Sequence, residues 1–310
     1  MCDLISINEY PVKPVLKILL SDKTTKQNIV FATDSYVNLG SVYSPESQIS
    51  IASLTKMELQ PRVLKDKQDQ ADRTKAKAEV MTPSWVVNKM NNHCDEDWFG
   101  CKNVFNTEKD ESWVVNKKAI LFPEGKTWQN YIDSMRLEIT CGEAPYLVSR
   151  YDTTTGKIIV PIEKRIGVLD RKLRVVSENT NTEDEWIKWV IRAYQSTYGF
   201  EYQGDNLLIG RINLLITFVD YMMAKWNRQP TEVELKKIAN IIAWNLWQMD
   251  GLTGTVPYSS QDVSHKQMTF FDFIDGGETT ECVKEAVPAK IFDWRSNESI
   301  EYNSLKERNI

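Results

Sequence analysis

The sequence predicts an α/β fold, a mostly parallel sheet with helices on both faces and an N-terminal extension. Three observations predict it. Short strand-like runs that end in a turn or an acid recur at 136–142, 200–208 and 245–251. Segments with apolar residues at helical spacing separate them, at 182–198, 205–226 and 231–244. That alternation is what parallel strands joined by helical crossovers require. Third, 310 residues with 42% hydrophobic content suffice for a substantial core.

Composition narrows the function classes. Net charge is −5, so a whole-chain basic footprint for nucleic acid is absent and any DNA contact needs a local patch. Ten Trp and twelve Tyr belong mostly to the core. Five cysteines at irregular spacing, Cys2, Cys94, Cys101, Cys141 and Cys282, do not suggest a disulfide framework. The start Met1-Cys-Asp-Leu-Ile runs into Asn8-Glu-Tyr rather than a signal-type apolar segment, and no apolar run is expected to span a membrane. The expected setting is the cytoplasm, without membrane partners.

In chain order, Pro11 to Leu20 reads as a short helix, and Asn28 to Thr33 and Ile49 to Ala52 read as strands. Arg62 to Lys77 interleaves Arg62, Lys65, Lys67, Arg73, Lys75 and Lys77 with three aspartates, which suits a solvated helix or linker, or an arm touching phosphates. Thr82 and Pro83 start a helix with Val86, Val87 and Met90 on its apolar face, Thr82 as cap. His93, Cys94 and Cys101, with His265 or Cys282 far away, lack the paired spacing of a structural zinc site, so no metal is expected. Trp113 to Lys117 echoes Trp85 to Lys89, one echo rather than a repeat array.

Leu137 and Ile139 then mark the end of a buried strand, and Gly142 allows the tight turn that follows it. Asp152 to Gly156 is a turn and Lys157 to Pro161 a strand. Arg165, Arg171, Lys172 and Arg174 form a second candidate basic patch. Thr182 caps a helix with acids in its first turn, and Gly199 ends it. The strand after it runs into the helix 205–226. Thr231 and Glu234 make a capping box for the next helix. A closing strand is expected at 289–295, leaving no room after it for a large target-recognition domain.

Four stretches in this order carry a resemblance. They are Glu79-Val-Met-Thr-Pro83, Glu138-Ile-Thr-Cys-Gly-Glu-Ala144, Tyr198-Gly-Phe-Glu201 with Arg211-Ile-Asn-Leu214, and the acid Asp250 after an apolar strand. Together they resemble the cofactor motifs of S-adenosylmethionine-dependent adenine-specific DNA methyltransferases, over roughly Lys77 to Leu252. Ala144 stands where that family usually has a second Gly. The resemblance implies a class I methyltransferase-like (Rossmann-like) domain over 77–310, an insertion at about 150–182, and residues 1–76 as the extension.

It also implies S-adenosylmethionine as cofactor. Thr82, Pro83, Glu138, Thr140, Cys141, Gly142 and Glu143 lie in the stretches on the methionine side. Glu201 falls at the ribose hydroxyls and Asp250 at the adenine amino group. The implied setting is the modification subunit of a restriction-modification system, with DNA and a specificity or endonuclease subunit as partners. One element is missing: the family's Asp/Asn-Pro-Pro-Tyr/Phe, which holds the flipped target base, occurs nowhere in the chain. Phe270 to Gly277 offers only Asp272 and Asp275, so no catalytic residue is assigned. Three readings stay open: a methyltransferase with a partner-supplied acceptor motif, a non-catalytic cofactor- or DNA-binding subunit, or a methyltransferase for a non-DNA acceptor.

Overall fold

The structure, a computed structural model, describes residues 4–65, 67, 70, 71, 73, 81–259 and 286–307. The elements used below are α1 (Leu16–Leu20), α2 (Ile51–Lys56), α3 (Ser84–Phe99), the hairpin β1 (Asn106–Lys109) and β2 (Ser112–Val115), α4 (Trp128–Asp133), β3 (Arg136–Glu138), α5 (Val168–Asn179), α6 (Glu183–Gln195), β4 (Thr197–Glu201), α7 (Gly204–Trp226), α8 (Glu232–Asn245), β5 (Leu246–Gln248), the hairpin β6 (Lys290–Asp293) and β7 (Glu298–Glu301), and α9 (Ser304–Glu307).

The fold is mixed α/β. Its centre is a three-stranded parallel sheet in the order β3-β4-β5, with Glu138 level with Gly199 and Glu201 level with Gln248. Parallel neighbours need a crossover, and α5 with α6 supplies the first, α7 with α8 the second. Two antiparallel hairpins, β1–β2 and β6–β7, complete the strands among the described residues.

Helices on both faces is corrected. Leu246 joins the large core that holds α5 to α8, whereas Phe200 and Trp247, on the opposite face, pack with Ala289 and Ile291. Among the described residues, that second face is therefore covered by the β6–β7 hairpin and Leu305 of the short α9 rather than by crossover helices. The far edge of β5 is closed by a side chain that imitates a strand. Gln248 Nε2 donates to Val30 O and its Oε1 accepts the Val30 N–H, both at 2.8 Å.

The long helix α7 runs through the middle, with Leu207, Leu208, Ile212, Leu215 and Phe218 fully buried. It overturns the expectation that no apolar run reaches spanning length, since it is long and apolar enough to cross a membrane. Its apolar surface is spent on the core: 78% of its most apolar window is buried. Arg211 in that helix is wholly buried. It donates to the carbonyls of Leu246, Ala243, Leu19 and Ser21, tying α1, α8 and β5 to α7.

Several local expectations change. Asn28 to Thr33 contributes isolated bridges, not a strand, and Ile49 to Ala52 enters α2 through a Ser50–Ser53 capping box. Lys157 to Pro161 is likewise irregular, with one bridge from Tyr151 to Ile158. Gly199 lies inside β4, where a Cβ would approach Cys141 Sγ to 3.3 Å, and α6 ends earlier, at Ser196. Leu137 and Ile139 are exposed and Glu138 is buried, the reverse of the expected strand, because β3 is an edge whose outer face nothing described covers.

Candidate functional site

The turn after β3 is built by alternating backbone signs. Thr140, Gly142 and Ala144 have φ of 47°, 53° and 64°, the left-handed region that only Gly enters freely. Ala144, at the position of the second Gly in the resembled motif, thus keeps a glycine-like backbone. Its methyl group fits because α7 presents Gly210, whose own Cβ would meet Ala144 Cβ at 3.5 Å and Gly142 O at 3.2 Å.

Carboxylates hold this turn. Glu138 is buried and accepts the N–H groups of Tyr146 and Leu147 at 3.3 and 3.2 Å. Burial pushes its pKa well up against those two bonds, with the Glu201 charge adding to the rise. Glu201, at the end of β4, accepts the Gly142 N–H at 2.8 Å and the Gln203 N–H at 3.0 Å. Cys141 donates its N–H to Phe200 O, and burial pushes its thiol up, which keeps it an inert neutral group. Glu143 turns inward, accepting from Tyr151 OH and the Arg62 N–H, each at 2.6 Å. Thr140 is exposed, its hydroxyl donating to Ile139 O.

The structure therefore gathers Glu138, Cys141, Gly142, Glu143 and Glu201 around one turn at the carboxyl ends of β3 and β4. Asp250 lies on the same side of the sheet, two residues past β5. Its carboxylate accepts the Leu252 N–H at 2.8 Å, which folds the following turn. Thr82 and Pro83 are placed elsewhere: Pro83 lines a groove of about 700 Å³ with Trp85, Trp113, Lys157 and Lys164. Thr82 is not the cap of α3. Asp152 accepts the Ser84 N–H at 2.7 Å instead, while Thr153 binds Thr82 O. Glu79 lies outside the described residues, as do Cys2, His265, Asp272, Asp275 and Cys282. Among the described residues, no group of three or more metal-ligating side chains forms.

The two basic patches are corrected. Arg171 and Lys172 are buried, Arg171 on Asp95 at 2.5 Å and Lys172 on Ser134 O and Ser196. Arg165 pairs with Asp220 and Arg174 with Glu178. In the earlier segment, Lys65 and Arg73 reach Asp205 at 3.2 and 2.9 Å. Burial alone would raise the Asp205 pKa, but these two cations and the Arg73 hydrogen bond hold it well below the usual carboxylate range. At Lys65 and Arg73 the segment is thus neither a solvated linker nor a free phosphate arm, whereas Lys67 is exposed and Lys75 and Lys77 lie outside the described residues.

Sequence reasoning missed Tyr202 and Tyr258. Their rings stand 6.4 Å apart at the carboxyl end of the sheet, beside the Asp250 charge. Asn213, quoted in the Arg211 stretch but given no role there, donates to Glu143 O at 3.1 Å. The available signal was polar residues, Asp205, Asn206 and Asn213, set among the large apolar residues of one helix. No family model matches the chain, and no curated protein or solved structure matches it either.

Proposed function

We propose that this protein binds S-adenosylmethionine through a class I methyltransferase-like, Rossmann-like half-sheet, as a DNA methyltransferase-like modification subunit directed at adenine N6. One observation carries the reading. β3, β4 and β5 are parallel and in chain order, and the glycine turn of the first strand is bonded to the carboxylate that ends the second. Ligands of open parallel sheets sit beyond such strand ends, where an acid accepts the ribose hydroxyls and a tight turn lets the ligand approach the backbone. Glu201 has the position for the ribose, the 140–144 turn for the methionine portion, and Asp250 with Tyr202 and Tyr258 for the adenine. On this reading Glu138 and Glu143 act by holding the turn. DNA and a specificity or endonuclease subunit are the partners that follow, in the cytoplasm.

A second reading is favoured by one observation. No Pro-Pro pair exists in the chain, so a cofactor-binding subunit without its own acceptor site is the alternative.

Calorimetry with S-adenosylmethionine tests the proposal. Glu201→Ala is expected to weaken binding by roughly tenfold or more, since a lost charged acceptor costs about 1.5–3 kcal/mol. Glu183→Ala, in the first turn of α6 and paired with Arg228, should bind as the unmodified chain does. No heat and no thermal shift at millimolar cofactor would sink the proposal.

A further inference from the structure

A duplicated hexapeptide has no part in the candidate cofactor site. Ser84 to Lys89 opens α3 and Ser112 to Lys117 runs along β2, yet both copies place their tryptophan in one groove of about 700 Å³. Eight of the ten tryptophans stand against another aromatic ring. The two that do not, among the described residues, are Trp85 and Trp113. Both are half-buried and line the groove, so each ring is held by the protein and keeps part of its surface open. Their mounts are fixed. Asp152 accepts the Ser84 N–H at the start of α3, and Trp113 Nε1 donates to Lys164 O at 2.8 Å.

The charges of the groove are unequally engaged. Its cations, Lys157 and Lys164, are exposed and, among the described residues, carry no ion pair. Of its two carboxylates, Asp152 is taken up by the N–H of Ser84 and by the N–H and hydroxyl groups of Thr154 and Thr155. Glu111 stands exposed at the tip of the β1–β2 hairpin. Two ring faces and two cations without partners fit a ligand that carries flat rings on an anionic backbone. A neutral sugar would use the rings and leave the lysines idle. We propose that this groove binds single-stranded nucleic acid, with bases stacked on Trp85 and Trp113 and phosphates at Lys157 and Lys164. In a duplex the base faces are already stacked on one another, so only a single strand can offer them. None of the residues of the 140–144 turn lines the groove, and the proposal does not depend on cofactor binding.

Fluorescence anisotropy of a short labelled single strand of mixed sequence, as DNA and as RNA, tests it on the full chain at low and moderate salt. The expected result is saturable binding, about tenfold or more tighter than to the matching duplex. Trp85→Leu and Trp113→Leu should each weaken it by about tenfold, within the range one stacked base supplies. Trp113→Phe keeps a ring without the Nε1 donor and should retain most of the affinity, which separates stacking from a failure to fold. Lys157→Gln should lower the slope of log affinity against log salt by about 0.7, one phosphate contact on a single strand. Lys17→Gln, exposed on α1, should leave that slope unchanged, and Glu111→Gln should tighten binding. No binding of either strand at low salt overturns the proposal. So does equal affinity for duplex and single strand, affinity that both leucine variants retain, or displacement of the strand by a neutral oligosaccharide.

Discussion

Two buried cations of this protein are satisfied chiefly by backbone carbonyls. Arg211 bonds four of them, and Lys172 bonds two and the Ser196 hydroxyl, with burial lowering the pKa of each cation. Asp170 is the carboxylate counterpart and is served less well. Its Oδ2 accepts the Ser149 N–H and hydroxyl, while Oδ1 has no partner. Burial raises its pKa from 3.8 to about 6, against the pull of Arg165 and the Ser149 bonds. Between those two values the folded state holds a proton that the unfolded state has released. Stability from this group is therefore present at the acid end and is lost as pH rises through about 6. Relative to Asp170→Asn, the unmodified protein should lose stability on the order of 2 kcal/mol between pH 4 and pH 7. Urea unfolding at several pH values checks it. A constant difference between the two proteins would remove Asp170 as the titrating group.

At the scale of the element, Gly204 shows how one residue sets a junction. It begins α7, donates its N–H to Phe31 O, and would place a Cβ 2.0 Å from Val30 O. Gly204→Ala should force the 28–31 segment away from Gln248 and cost about 2–4 kcal/mol. A denaturant midpoint shift worth under about 1 kcal/mol would show that the segment yields instead. Elements with their own start chemistry were legible in the sequence. Thr231 with Glu234, and Thr182, cap the helices assigned to them, and the parallel order of the strands follows from the crossovers between them. Gly142 at its turn and Glu201 at its strand end were readable separately; the hydrogen bond between them was not. Elements decided by distant partners were not legible. Ser84 to Lys89 and Ser112 to Lys117 are the same six residues, yet the first opens α3 and the second forms β2. Pro83 and the Asp152 carboxylate start the helix; the turn at Asp110, with φ 49°, folds the other copy into a hairpin. Likewise nothing local told that Lys172 would be buried, because its acceptors at Ser134 and Ser196 come from other elements.

For the whole molecule, the proposed reading separates cofactor binding from group transfer. Transfer needs the target amine in line with the methyl group at about 3–3.5 Å, and the chain has no Pro-Pro element to hold such an amine. Radiolabelled methyl transfer to unmethylated genomic DNA should be weak or absent with the chain alone, and appear on mixing with a partner that supplies the acceptor site. Robust N6-methyladenine formation by the chain alone would refute this. The Gln248 clasp on Val30 bears on a different matter, the order of events during synthesis. These partners lie 218 positions apart, and Arg211 reaches Leu19 across 192. At about 5–20 residues per second, the opening residues wait ten seconds or more on the ribosome before their partners emerge. Val12, Val15, Leu19 and Phe31, all wholly buried in the finished protein, are uncovered for that interval. Their cover is complete only once α7 and β5 have been made.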